Sequence, residues 1–418
     1  MTNIHQLSNR ITVVTEVLPY LKSAAFGVWI KAGSANEAES NNGIAHMIEH
    51  MLFKGTRSRN AKQIADEMAR IGGNMNAFTS KECTCYYAAT LSEHLPIAID
   101  ILADMLTNSL IDEKALKKEK GVIIEEIDMY DDSPEDLAHE LLQQRIWKDH
   151  PLGYMISGTK KVVRRVTREQ ILDFMEQYYV GENIIISVAG SFEEASVLEL
   201  LKDKFGGIKA ASGAKKKEEE VPEYHRVRCK RHKDIEQLHY NIAFPCISYL
   251  SEERYELSVL NSILGGSVSS RLFQRIRENS GLTYSIYSYG SSYRKTGLFH
   301  IYAAMNPSQA PAVAKKIQQI IADIRKKGVT SQELSMTKEQ LKTELILGNE
   351  SAKSRMNANG KSMLNHGRLI PIEELIAGVN QVSLEGVKEF ASRYLDMEQT
   401  SVSLVGNLQD GSKLSELL

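Results

Sequence analysis

The feature that most constrains this 418-residue chain is an internal repeat at an offset of 216 residues. Residues 166–190 and 382–406 share six identical positions at that offset: Val166/Val382, Glu169/Glu385, Phe174/Phe390, Tyr178/Tyr394, Ser187/Ser403 and Gly190/Gly406. Each copy predicts a helix with Phe and Tyr on one face, followed by an apolar strand and a glycine. A repeat at this spacing indicates a duplicated domain.

Looser similarities extend the duplication. Residues 24–30 and 238–244 both predict buried strands, and residues 84–91 and 297–305 predict strands that each precede an amphipathic helix. The expected fold is therefore α+β, with two homologous domains that each carry a mixed or antiparallel sheet with helices packed on it and that face each other across a cleft. We expect these domains at residues 1–207 and 223–418, joined by a solvated linker, residues 208–222, rich in Gly, Ala, Lys and Glu.

Composition and charge argue against several classes of protein. The 51 Lys and Arg residues nearly balance 53 Asp and Glu residues, which gives no overall attraction for nucleic acid or anionic lipid. No run of about 18 apolar residues predicts a membrane span. The N-terminus lacks the pattern of a secretory signal. Four cysteines without a CxxC motif indicate reduced thiols, so we expect a cytoplasmic protein.

The most specific chemical pattern is HxxEH at His46, Glu49 and His50. On a helix, two histidines four residues apart share one face and can bind a single Zn²⁺ through their imidazole nitrogens. The glutamate between them is then placed to act on a metal-activated water. The alternative is a helix with two incidental histidines.

A catalytic zinc site usually needs a third protein ligand. Residues 112–128 predict a helix on which Glu119 and Glu126, seven residues apart, share one face, while Glu125 points about 100° away. A solvated acidic face is the alternative, and helix geometry alone leaves both interpretations open.

Three motifs in this order carry a family resemblance: His46–Thr56 (HMIEHMLFKGT), Ile71–Glu82 (IGGNMNAFTSKE) and the Glu119/Glu126 pair. Together they resemble the inverted-zincin metallopeptidases of the pitrilysin and mitochondrial processing peptidase family, especially its short bacterial processing proteases with two homologous domains. The resemblance covers essentially the whole chain. It implies that His46, His50 and Glu126 bind one Zn²⁺, that Glu49 is the general base on the zinc-bound water, and that Glu119 is an accessory catalytic carboxylate.

The second half lacks the motif, since residues 262–266 read SILGG at the 216-residue offset. The resemblance nevertheless implies that Arg277 contacts substrate and that Tyr284 contributes to catalysis. It also places Asn76 and Ala77 at a substrate-facing sheet edge. Taken without the resemblance, Arg277 is a surface ion-pairing residue, Tyr284 is a half-buried strand residue, and residues 74–87 form a strand that could pair with an extended peptide if it lies at an edge.

The expected function is therefore that of a zinc-dependent endopeptidase acting on unfolded peptides or protein segments. The leading rival is a non-catalytic or partner-dependent subunit of a processing peptidase that keeps the peptide-binding cleft. A third hypothesis is a metal-dependent hydrolase of a non-peptide substrate. The expected partners are peptide substrates and, as one candidate assembly, a homodimer, with neither nucleic acid nor membrane.

Overall fold

The computed structural model describes residues 2–211 and 220–408. Most of the predicted linker, residues 212–219, lies outside the described residues. The strands are β1 (Thr2–Gln6), β2 (Thr12–Val17), β3 (Ser23–Ile30), β4 (Asn74–Thr79), β5 (Thr84–Leu91), β6 (Ile184–Gly190), β7 (Arg228–His232), β8 (Leu238–Cys246), β9 (Ser285–Ser292), β10 (Gly297–Met305) and β11 (Ser401–Gly406).

Helices follow or connect these strands throughout both halves of the chain. They are α1 (Ile44–Leu52), α2 (Ala61–Arg70), α3 (Leu95–Asn108), α4 (Glu113–Asp132), α5 (Pro134–Ile146), α6 (Lys160–Val163), α7 (Arg168–Tyr178), α8 (Glu194–Phe205), α9 (Arg254–Leu264), α10 (Ala310–Lys327), α11 (Ser331–Leu347), α12 (Ala352–His366), α13 (Ile372–Gln381) and α14 (Leu384–Tyr394). No helix in the described part of the chain is long and apolar enough to cross a membrane.

Packing divides the described residues into two compact units. The first takes residues 2–128, 154–211 and 348–370, and the second takes residues 129–153, 220–347 and 371–408. Each unit therefore contains one helix from the opposite half of the sequence: α12 belongs to the first unit and α5 to the second. The expected domains, residues 1–207 and 223–418, describe the duplication in the sequence. They stay a prediction, because the packing units are defined by contacts and not by the sequence repeat.

The two sheets repeat one another in strand order. The first has the order β1-β2-β6-β3-β5-β4, and the second has the order β7-β11-β8-β10-β9. The pairs β2/β6 and β7/β11 are parallel, and every other neighbouring pair is antiparallel. The α+β architecture with mixed sheets is thus confirmed, and the second sheet matches the first except that it has no counterpart of β1 among the described residues.

The repeated residues have equivalent structural roles in the two units. Phe174 and Tyr178 on α7 bring their rings to 4.5 Å, and Phe390 and Tyr394 on α14 do the same at 4.5 Å. These pairs are four residues apart, the spacing that places side chains one above the other on a helix. The repeat therefore preserves a packing contact.

The repeated glycines end β6 and β11 in a conformation that other residues avoid. Gly190 has φ +132° and Gly406 has φ +149°. A Cβ atom at Gly190 would lie 2.4 Å from the Ser23 carbonyl oxygen, and one at Gly406 would lie 2.7 Å from that of Gln237. Both the backbone conformation and the close neighbouring strand require glycine here.

In the first unit, helices cover both faces of the sheet. Phe26 and Val28 of β3 point into the main core, which also holds apolar residues of α1, α3, α4, α7 and α8. Trp29 points to the opposite face, where α12 packs, and Gly27 faces Met356 of α12. A strand buried on both faces must be apolar almost throughout, which explains the sequence SAAFGVWI.

In the second unit, α5 covers a strongly polar sheet face. Ser403 of β11 donates a hydrogen bond to the Ala138 carbonyl at 2.6 Å, as its repeat partner Ser187 does to the Met356 carbonyl at 2.9 Å. The His139 Nδ1 atom of α5 lies 2.6 Å from the Tyr289 hydroxyl. Both repeated serines therefore bind the backbone of the helix that comes from the opposite half of the sequence.

Gly360 on α12 allows a test of this docking. A Cβ atom at Gly360 would lie 2.1 Å from Trp29 Nε1, whereas one at Gly121, a helical glycine of α4, would meet nothing within 4 Å. We expect Gly360→Ala to lower the free energy of unfolding by about 1–3 kcal/mol through overpacking. Gly121→Ala should raise it by about 0.4–1 kcal/mol. Urea denaturation measures both values, and equal effects would contradict the close packing of α12 on β3.

Candidate metal centre

Helix α1 carries His46, Glu49 and His50, and the structure confirms the expected helix at this motif. The chain enters it through Gly43, whose φ of +95° is favourable only for glycine. A Cβ atom there would also lie 2.7 Å from the Ser157 carbonyl oxygen. The apolar face of α1 packs into the main core, so the polar motif residues are held at the edge of a rigid element.

The N-terminus of α1 rests on the buried carboxylate of Glu37. Its Oε2 accepts hydrogen bonds from the Gly43 backbone N–H at 2.7 Å and from Asn42 Nδ2 at 2.8 Å, and its Oε1 accepts one from the Ala45 N–H at 2.9 Å. Burial raises the pKa of Glu37 to about 7, although these bonds and the Lys81 charge oppose the rise.

His46, His50 and Glu126 converge on one point. Glu126 Oε2 lies 3.7 Å from His46 Nε2 and 3.6 Å from His50 Nε2. Within residues 2–211 and 220–408, these three form the one group of three His, Cys, Asp or Glu side chains close enough to hold a metal ion. Helix α4 supplies Glu126, so the helical face predicted from the sequence does point its second carboxylate at the histidines.

These separations fit a zinc ion. Atoms bound to one tetrahedral Zn²⁺ at about 2.1 Å lie roughly 3.4 Å apart, close to the observed 3.6 and 3.7 Å. The same separations are too long for hydrogen bonds. Burial, together with the charge of His50, lowers the pKa of His46 to about 4, so its imidazole is neutral at pH 7. A neutral imidazole is the form that binds a metal.

Glu49 does not belong to this group of ligands. Its Oε2 accepts a hydrogen bond of 2.6 Å from the Thr79 hydroxyl at the end of β4. Burial raises the pKa of Glu49, the neighbouring Glu126 adds to the rise, and both the Thr79 bond and His50 oppose it. A half-buried carboxylate with a raised pKa beside a candidate metal site has the chemistry of a proton acceptor.

Glu119 lies behind His50 instead of joining the three converging side chains. Its Oε2 is 3.2 Å from His50 Nδ1, and its Oε1 is 2.8 Å from Lys54 Nζ. A carboxylate on the second nitrogen of a ligating histidine fixes the tautomer and the orientation of the ring. The structure therefore gives Glu119 an orienting contact, and its catalytic role stays a prediction.

Residues 74–87 form two strands of a hairpin, β4 and β5, and not one continuous strand as expected. The turn at residues 80–83 separates them, and β4 lies at the edge of the sheet. Asn76 is exposed there, and its Oδ1 accepts a hydrogen bond of 2.8 Å from the Ala77 backbone N–H. A peptide strand added at this edge would have to displace that side chain to reach the Ala77 N–H.

Arg277 and Tyr284 belong to the second unit. Arg277 lies on a π-helical turn, Phe273–Glu278, and its guanidinium carbon is 4.8 Å from the Phe273 ring centre and 5.2 Å from that of Tyr284. Tyr284 is 76% exposed, in contrast to the half-buried strand residue that the residues alone predicted, because it precedes β9. Their roles toward substrate stay predictions.

Sequence reasoning missed three residues around the site. Thr79, Lys54 and Glu37 each contact a motif residue or the helix that carries it. Thr79 and Lys54 fall inside the segments that carried the family resemblance, yet no spacing rule singled them out. Glu37 gives no signal at all, because an acidic residue nine positions before a histidine is unremarkable until the chain has folded.

Comparisons with known proteins identify related sequences and folds. The sequence profile described as Insulinase (Peptidase family M16) matches residues 12–160, and the profile described as Peptidase M16 inactive domain matches residues 165–341. The "uncharacterized zinc protease YmxG" of Bacillus subtilis is 42% identical over 97% of this chain and 98% of its own length. An "uncharacterized zinc protease" of Streptomyces coelicolor is 37% identical over 97% of this chain and 89% of its own.

Solved structures show the same fold. A protease from Helicobacter pylori has a TM-score of 0.90 at 23% identity, covering 97% of this chain and 99% of that one. A chain of complex III from Candida albicans has a TM-score of 0.85 at 18% identity, covering 99% of each chain.

Replacing each of two neighbouring glutamates on α4 by glutamine tests which of them is a zinc ligand. Glu126→Gln should abolish tight zinc binding, because the amide offers a far weaker ligand atom at the point where the histidines converge. Glu125→Gln is the matched control and should bind one zinc per chain, since Glu125 is exposed on a different face of α4. Metal analysis of the purified variants decides between them, and the reverse result would assign the ligand to Glu125.

Proposed function

Because the chain belongs to the M16 family of peptidases, we propose that it is a zinc-dependent endopeptidase that cleaves unfolded peptides or protein segments. The observation that carries the proposal is the convergence of His46, His50 and Glu126, with a half-buried, non-ligating Glu49 on the same helix as the histidines. Zinc, when bound, would supply the Lewis acidity that activates a water and polarises a peptide carbonyl.

Glu49 carries out both proton transfers of the proposed reaction. Its carboxylate accepts a proton from the attacking water and then gives that proton to the leaving amine. Thr79 donates its hydroxyl hydrogen to Glu49 Oε2, which leaves Oε1 for the water and holds the carboxylate in one orientation. Burial raises the pKa of Glu49 toward the pH at which it must both accept and release a proton.

The substrate would bind as an added strand at the open edge of β4. An edge strand offers backbone donors and acceptors at regular intervals, and it can therefore bind peptides of varied sequence in extended form. Thr79, the last residue of β4, contacts Glu49. A peptide paired with β4 would therefore run toward the proposed base. Asn76 and Ala77 would contact it through their backbone groups.

The second candidate function is a peptide-binding subunit without activity of its own. It is favoured by the profile that covers residues 165–341, which is described as an inactive domain. The complete set of His46, His50, Glu126 and Glu49 in the first unit argues against it.

Dimerisation and a cytoplasmic location belong to the proposal, and the four free cysteines agree with a reducing compartment.

Glu49→Gln separates these functions. The amide cannot accept a proton, so we expect peptide turnover to fall by about 10²–10⁴-fold or more. Zinc content should stay at one per chain, because Glu49 is not a ligand. Cleavage of a mixed peptide library, followed by mass spectrometry with and without chelator, measures the change. Near-normal cleavage by the variant would sink the mechanism, and an inactive wild-type protein that still binds peptide would favour the subunit.

Tyr284→Phe tests the contribution of the second unit. The change removes one exposed hydroxyl group and very little packing volume. If that hydroxyl stabilises the developing oxyanion, kcat should fall by about 10²–10³-fold with zinc content intact. A rise in KM alone would assign it to substrate binding, and unchanged values of both constants would show that Tyr284 has no role in the reaction.

A further inference from the structure

We propose that Glu37 is a positioning residue of the metal centre, which holds α1 at the depth and rotation where His46 and His50 meet Glu126. The inference rests on the proposed zinc site and extends it to a residue outside the HxxEH motif. Glu37 has no contact with the metal-binding atoms and would act only through the helix.

Glu37 contacts the backbone at the start of α1. It accepts hydrogen bonds from the backbone of Gly43, the residue just before α1, and of Ala45, the residue before His46. Two backbone contacts on the first turn fix both the axial position of a helix and its rotation. Since α1 has only nine residues, a shift of its first turn moves both histidines.

Glu37 is itself held in place by neighbouring side chains. Asn42 Nδ2, which donates to Glu37, also donates a hydrogen bond of 2.8 Å to the Met155 carbonyl. The Lys81 ammonium, whose charge acts on Glu37, donates to the Tyr154 carbonyl. Through Asn42 and the charge of Lys81, the carboxylate thus links the start of α1 to the segment at residues 154–155 and to the turn between β4 and β5, which begins next to Thr79.

The backbone N–H groups of Gly43 and Ala45 each need an acceptor oxygen, and they use different oxygens of Glu37. Glu37 is only 4% exposed, and a polar group left without a hydrogen bond in such a place is unfavourable. A glutamine of the same shape has one acceptor oxygen and one NH₂ group. Either orientation of the amide would place that NH₂ against a backbone N–H, of Ala45 or of Gly43. Glutamine therefore keeps the side-chain volume but loses one of the hydrogen bonds that hold the start of α1.

Glu16 provides a matched control in the same unit. It is 3% exposed, and its carboxylate accepts hydrogen bonds from Arg355 Nε at 2.9 Å and from Asn359 Nδ2 at 2.7 Å. These partners lie on α12, on the sheet face opposite to α1. Glu16→Gln should therefore destabilise the unit without disturbing the zinc ligands.

The experiment compares full-length wild type, Glu37→Gln and Glu16→Gln. Zinc affinity is measured by competition with a chromogenic chelator at a temperature well below unfolding, and the melting temperature of each zinc-free protein is measured by calorimetry. Disturbed outer contacts of a metal site typically weaken metal binding by about 10–100-fold, and we expect at least the lower value for Glu37→Gln. Glu16→Gln should bind zinc like wild type, whatever its melting temperature.

Equal zinc affinities in wild type and Glu37→Gln would overturn the inference, as would an equal loss in both variants, which would indicate general destabilisation. If Glu37→Gln does not fold, Asn42→Ala decides. That change removes one of the three hydrogen bonds to Glu37 and should weaken zinc binding to a smaller extent; unchanged affinity would again overturn the inference. A wild type that binds zinc but cleaves no peptide would refute the proposed function alone, because the affinity comparison needs no turnover.

Discussion

Each unit of this chain depends on one constraint, that both faces of a β-sheet with apolar central strands must be covered. One face carries the main core and the helices that follow the strands in sequence. The other face is covered by a single helix from the opposite half of the sequence, α12 in the first unit and α5 in the second. The backbone carbonyls of Met356 and Ala138 accept hydrogen bonds from the repeated serines at these two positions.

The two covered faces differ in chemistry although they share a plan. In the first unit, Trp29 lies against Gly360, and the buried Glu16 binds Arg355 and Asn359. In the second, histidine and tyrosine side chains take the equivalent place, and burial lowers the pKa of His139 while it raises that of Tyr289. His139 and Tyr289 are neutral at pH 7, and hydrogen bonds and ring contacts hold α5, among them the bond that Tyr287 donates to the Glu135 carboxylate.

The candidate metal centre is built on the first sheet. Helix α1 buries its apolar face against that sheet and presents two histidines, while α4 presents Glu126 to them. Glu119 contacts the ring of His50, and Thr79 donates to the carboxylate of Glu49. Glu37 accepts a hydrogen bond from the backbone of the first turn of α1. The proposed ligand Glu126 and the proposed proton acceptor Glu49 therefore have different neighbours. Glu126 faces two imidazoles, whereas Glu49 faces a hydroxyl.

The sequence by itself determined the duplication, the α+β class, the strands at residues 84–91 and 297–305, and the placing of His46 and His50 on one helix face. Local periodicity and fixed helical spacing suffice for these, because His46 and His50 are one turn apart in any helix. The family resemblance pointed to Glu126, but only the tertiary structure brought its carboxylate to the histidines. The tertiary structure alone also decided that α12 and α5 belong to opposite units and that Glu37 contacts the start of α1. Such relations join residues far apart in the chain, and no local pattern encodes them.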